Sequence, residues 1–109
     1  MYNAGKFKRN MRGVPGDYRV VIDFGGIHRN PGKVGTLVGT DPVGVIIETG
    51  DAGKIVAVLL AELSEYDDDS RVELFTHDND SYGYWDISSI HIHPKGQMVM
   101  IAAGAYIGG

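Results

Sequence analysis

Short β-branched runs, each cut off within about ten residues by glycine, proline or an Asx turn, constrain this chain more than any other feature. Arg19–Phe24 is the first, and Gly25-Gly26 ends it. Asn30-Pro31-Gly32 carries turn chemistry and leads into Val34–Val38, which Asp41-Pro42 breaks. Val43–Glu48 follows, and Gly50-Asp51-Ala52-Gly53 predicts a four-residue hairpin loop. Arg71–Thr76 alternates, with Val72 and Leu74 on one side. After the polar turn His77–Gly83, Ile87–His93 sets Ile90 and Ile92 against His91 and His93. Pro94-Lys95-Gly96 then turns the chain into Gln97–Ala103. Lys54–Leu63 fits two periods. Ile55, Val56, Val58, Leu59, Leu60 and Leu63 suit a helix that Asp51 would cap. The hairpin signal before it and its β-branched start favour a strand, with a short helix over 54–66 as the alternative. Seven short strands with turns between them predict an all-β barrel or sandwich.

At 109 residues the chain fits one domain, and 43% hydrophobic with 22% charged residues is a globular composition. Its 16 glycines suit many tight turns. The absence of cysteine excludes disulfides, thiolate metal sites and a thiol nucleophile, and fits a cytoplasmic setting. Ile55–Ala61 and Met98–Ala103 are the longest apolar runs, far short of the ~20 residues a bilayer span needs. No apolar h-region follows the basic N-terminal residues, so no signal peptide is expected.

Gly32-Lys33-Val34-Gly35-Thr36-Leu37-Val38, fed by an apolar strand with Val20 and Ile22 and a loop at Gly25, resembles the KOW motif. The resemblance covers about 25 residues of the 109. It implies a small SH3-like barrel over 17–109, in a family whose members mostly bind and rarely catalyse. Gly32 and Gly35 would then permit positive φ or a close backbone approach where the strand bends. It also opens a nucleic-acid-binding alternative through the loop. Arg29 and Lys33 are the only cations near that loop.

Charge is unevenly spread around a net of −4. Residues 1–16 carry Lys6, Lys8, Arg9 and Arg12 without an acid, and read as a basic, flexible arm. Glu62–Asp80 is strongly acidic, with Arg71 its only base. Tyr82, Tyr84 and Trp85 lie just beyond, with Tyr66 and Phe75 nearby. The best-placed surface is therefore acidic and aromatic: Tyr66, Asp67, Asp68, Asp69, Tyr82, Tyr84 and Trp85. The expected function is non-catalytic protein binding, to a partner with a basic patch. Such an acidic module would also suit the nucleic-acid site of that partner. In the alternative, Lys6, Lys8, Arg9, Arg12, Arg29 and Lys33 would hold RNA or DNA, which the net charge opposes.

The sharpest chemical signal is His91-x-His93, because residues i and i+2 of a strand share a face. With His77 as a third ligand it would make a small metal-dependent enzyme. His91-x-His93-x3-Gln97-x6-Gly104 is also similar to the first cupin motif, with Gln97 where cupins place Glu. The plainer expectation is two outward histidines opposite buried Ile90 and Ile92. Asp78, Asp80 and Asp86, with Gly83 at the sixth position, look like half a calcium loop. Tyr82 and Ser89 stand where further ligands belong, so a polar turn is expected. No catalytic residue, metal or cofactor is assigned on this reading.

Overall fold

Two three-stranded meanders, joined to each other at both ends by parallel pairings, close into a barrel. The computed structural model describes residues 2–39, 43–79 and 81–109. Its strands are β1 (Arg19–Phe24), β2 (Ile27–Leu37), β3 (Gly44–Gly50), β4 (Lys54–Ile55), β5 (Val72–Thr76), β6 (Gly83–His93) and β7 (Met98–Gly108). Two helices, α1 (Ala4–Asn10) and α2 (Val56–Leu63), complete the fold. The order around the wall is β2-β3-β5-β6-β7-β1, and β1 pairs back to β2 to close it. The short β4 lies beside β1. Consecutive strands pair antiparallel within each meander, whereas β3 with β5 and β7 with β1 are parallel. No described helix is long and apolar enough to cross a membrane.

The inner face follows from period-two alternation. Val20 and Ile22, Val45 and Ile47, Val72 and Leu74, and Val99 and Ile101 are each fully buried. At the parallel junctions these residues face one another: Val20 with Val99, Ile22 with Ile101, Val45 with Val72, and Ile47 with Leu74. Such directly opposed apolar pairs are the unit of sheet stabilisation.

The segment Lys54–Leu63 is a two-residue strand and then a helix, not the strand its start suggested. The reason is topological. Parallel β3 and β5 cannot be joined by a hairpin and need a crossover of a dozen or more residues. The loop at Gly50–Gly53 is correspondingly no hairpin, because β4 pairs with β1. α2 buries Val56, Leu59 and Leu63, the i, i+3, i+7 stripe of a core-facing helix. Lys54 ties it down: its ammonium donates to the Gly32 carbonyl and pairs with Glu62.

The N-terminal segment corrects a second expectation. It is helical, not a flexible arm. Asn3 caps α1 by accepting from Lys6 N at 2.8 Å. Ala4, Phe7 and Met11 are buried in the barrel core. Ala4 N donates to Ser70 O, Gly5 N to Asp68 O, and Val72 N to Tyr2 O. The amphipathic spacing of Ala4, Phe7 and Met11 carried the signal, masked by the four cations between and after them.

Strand ends differ too. Asn30-Pro31-Gly32 is not a turn but lies inside β2, where the register slips between Pro31 and Val34. Ile92, expected inside, is 43% exposed. The break expected at Asp41-Pro42 lies outside the described residues. Gly32–Leu37 forms part of the barrel wall. Gly32 meets Gly50 so closely that a Cβ on it would sit 2.9 Å from Gly50 Cα, whereas Gly35 has nothing within 4 Å. Gly32→Ala is therefore expected to cost about 1–3 kcal/mol, the usual range for overpacking against an unyielding neighbour. Gly35→Ala should cost much less. Chemical denaturation of both variants checks this. Phe7→Ala is expected to lose about 3–5 kcal/mol as a buried aromatic deletion, where an unstructured arm would lose nothing. Thermal unfolding distinguishes the two.

Candidate functional site

Six of the chain's ten aromatic residues gather at the end of the barrel where β1 finishes and β5 turns into β6: Phe24, Phe75, Tyr82, Tyr84, Trp85 and Tyr106. Strand register builds the outer half. Phe75 lies opposite Tyr84, with ring centroids 4.8 Å apart. Tyr82 and His77 stand edge-on to Phe75 at 5.4 and 4.8 Å. His77 is held by Glu48, whose Oε1 lies 3.1 Å from its Nε2. Glu48 arrives there because β3 runs parallel to β5 and pairs it with Phe75.

Trp85 forms the inner half. Its ring packs edge-on against Phe24 at 5.7 Å and Tyr106 at 5.1 Å, and its Nε1 donates to Ser81 O at 2.8 Å. It is half-buried and braced on the core. Gly83, at φ +127°, lets the two halves meet: a Cβ there would lie 2.8 Å from the Tyr106 ring. Tyr82 and Tyr106 remain 53% and 52% exposed.

Between the β1–β2 turn and the β5–β6 loop lies a cleft of about 570 Å³. Phe24, Ile27 and Trp85 supply apolar lining, Arg29 and Asp78 a charged wall, and Gly104 an open side. Arg29 Nε donates to Asp78 Oδ2, so the cleft's guanidinium is already neutralised. One edge of the cleft is backbone. β7 pairs with β1 only as far as Ala102, opposite Asp23, and then continues to Gly108 against β6 alone. Among the described residues, no strand covers the other edge of 103–108.

The acidic half of the expected surface lies elsewhere. Asp67, Asp68 and Asp69 sit in the turn before β5, and the aromatic rings lie along its far half, with Trp85 opposite Leu74 and Tyr84 opposite Phe75. From Asp69 to Leu74 is five residues of chain, roughly 17 Å when extended. Asp68 is a structural group there, with its carboxylate 3.2 Å from Lys8 Nζ. Tyr66 packs on the core at that same end, and its hydroxyl lies 3.2 Å from Thr36 Oγ1. Tyr82, Tyr84 and Trp85 are thus brought together, and Tyr66 and the three aspartates form a second, separate group.

The cations do not converge either. Lys8 is committed to Asp68 and Tyr66 O, and Lys6 lies over the Tyr2 ring at 4.5 Å. Arg9 and Arg12 are exposed by α1, Lys33 is exposed on β2, and Arg29 is at the cleft. His77 sits by the first residue of β6, while His91 is eight residues further along, roughly 25 Å away. Among the described residues, no three His, Asp or Glu side chains gather as a metal would require. In the calcium-like turn, Asp78 is held by Arg29, Asp86 Oδ1 accepts from Ile87 N at 2.9 Å, and Asp80 lies outside the described residues.

Sequence reasoning missed Phe24, Tyr106, Glu48 and the Arg29–Asp78 pair. Tyr106 lay beyond the expected end of the last strand, and the others need the register of strands distant in sequence. No protein-family model, curated protein or solved structure matches this chain.

Proposed function

We propose that this barrel is a non-catalytic binding module, and that its aromatic end recognises a protein partner. The observation that carries this reading is where the aromatic residues stand. Val, Ile and Leu line the wall's interior and Phe7 and Met11 of α1 fill the space between them, which leaves little room inside for the rings of this end. Five of the six rings at this end remain partly or largely exposed, and two of them by more than half. Tyr and Trp anchors of this kind dominate binding energies at protein interfaces. The uncovered β7 edge beside them supports the same reading, since an extended partner segment gains main-chain hydrogen bonds there.

The acidic turn at Asp67–Asp69 has a different part in this proposal. Its distance from the rings suits steering of a basic partner toward the module, not contact with it. The dispersal of the cations, with Lys8, Arg29 and Lys54 in ion pairs, favours protein over nucleic acid as the ligand. A cytoplasmic setting belongs to the same reading.

With a partner isolated from the host, Tyr82→Ala and Tyr106→Ala are each expected to weaken binding by about 2 kcal/mol, roughly thirty-fold. Both side chains are exposed, so the fold survives and calorimetry reads binding alone. Asp67→Lys with Asp69→Lys should slow association and flatten its salt dependence, with little change in dissociation. Asp68 is left intact because it anchors α1. Tight RNA or DNA binding that Arg9→Glu and Arg12→Glu abolish, with both tyrosine variants unaffected, would overturn the proposal.

A further inference from the structure

At the other end of the barrel, β6 and β7 form a hairpin ribbon joined by the turn at Pro94–Gly96, with β1 paired along the other side of β7. Its register sets His91 directly opposite Met100, and His93 directly opposite Met98. Side chains opposite one another share a face and have Cβ atoms about 4.5–5.5 Å apart. Ile90, Val99 and Ile101 take the inward face of the same stretch, and Ile92 ends that face at the exposed rim. The outer face therefore carries a two-by-two block of two imidazoles and two thioethers.

The two imidazoles stand close to the spacing of a ligand pair. The His91 and His93 ring centroids are 6.5 Å apart. Two imidazoles on one ion at metal–nitrogen distances near 2.0 Å place their centroids about 5 to 6.4 Å apart, from the tetrahedral to the linear arrangement. A small side-chain rotation closes the difference, and among the described residues the hydrogen-bond contact on these rings is that of His91 Nε2 with Ser89 Oγ at 2.8 Å. Both histidines are exposed, and both methionines are half-buried. The methionines are backed by Val21, which faces out of the wall opposite Met100 yet is only 5% exposed.

The surroundings select the ion. Thioether sulfur is a soft donor that favours Cu(I) over hard or borderline cations. No acidic residue follows Asp86 in the chain. Two cations flank the block: Arg19, whose Nη2 donates to Met98 Sδ at 3.7 Å in a contact the metal would replace, and Lys95 in the turn. On β1, the Asp23 carboxylate stands two residue pairs beyond Met100, opposite Ala102, and faces His28 at 3.8 Å. Repulsion from a fixed positive charge doubles for a divalent ion. Neutral ligands and soft sulfur suit a soft metal, and the cationic neighbours disfavour a divalent ion more than a monovalent one.

We infer that His91, His93, Met98 and Met100 form a Cu(I)-binding site on the outer face of the β6–β7 ribbon. The site is independent of the aromatic end and does not use His77.

The test is an anaerobic Cu(I) titration of the whole chain against a chromophoric Cu(I) chelator. Methionine methyl NMR with Ag(I), an air-stable soft monovalent ion, runs alongside. One equivalent should bind, shifting the methyl resonances of Met98 and Met100 but not that of Met11. His91→Gln with His93→Gln should abolish binding. Met98→Leu with Met100→Leu, nearly volume-conserving, should weaken it at least ten-fold, with circular dichroism unchanged. Zn(II) should bind at least a hundred-fold more weakly. Absence of a stoichiometric site would overturn the inference. So would Cu(I) affinity indifferent to the methionine changes, or Zn(II) binding as tight as Cu(I).

Discussion

The parallel pairing of β3 with β5 is the constraint on which the rest of the structure depends. It sets Val45 against Val72 and Ile47 against Leu74, and so joins the first meander to the second. It also dictates what lies between the two strands, because a parallel pair cannot be closed by a tight turn. The chain meets that requirement with β4 and α2. They in turn serve the wall where β1 and β2 part: β1 pairs with β2 only from Ile22 to Phe24, and β4 takes the edge at Arg19 and Val20. Lys54 then links the Gly32 carbonyl on β2 to Glu62 on α2. One topological choice thus accounts for the helix, the short strand and a nearly buried lysine.

The second parallel junction, β7 with β1, makes the two ends of the barrel unlike. β1 ends at Phe24, while β7 runs on to Gly108. The mismatch in length leaves the cleft, exposes the β7 edge, and gives Trp85 and Tyr106 a place beside the wall instead of inside it. The opposite end is occupied by α1, whose Phe7 and Met11 fill the core. The exposed rings and the buried side chains of α1 therefore stand at different ends of one barrel. The acidic turn belongs to the helix end, through Asp68 with Lys8 and Gly5.

Much of the fold was legible in the sequence. β1, β3 and β5 stood within a residue or two of their expected limits, because β-branched alternation between glycine and proline stops is a local signal. β6 and β7 were found but cut short, since Tyr84, Trp85 and Tyr106 do not alternate cleanly and the pairing slips at three places between Tyr84 and Ser89. α1 and α2 were misread for related reasons. Four cations made a core helix look like a tail, and isoleucine and valine at the start of the crossover imitated a strand. Of the site, Tyr82, Tyr84 and Trp85 were visible as a cluster in one turn. Their partners Phe24, Phe75, Glu48 and Tyr106 come from four other strands.

The chain's local chemistry determined by itself that this protein is a small β-rich domain with apolar strands, glycine-permitted bends and aromatic residues concentrated near one turn. Those properties depend on φ/ψ preference and on alternation over a few residues, and neither needs a distant partner. Only the tertiary structure decided that the strands close through two parallel junctions, that Asp67–Asp69 lie apart from the rings, and that His91 and His93 face two methionines. Each of these depends on register between strands, and a shift of one residue would turn every side chain to the other face. Register is set by the packing of the whole barrel, and no segment read in isolation contains it.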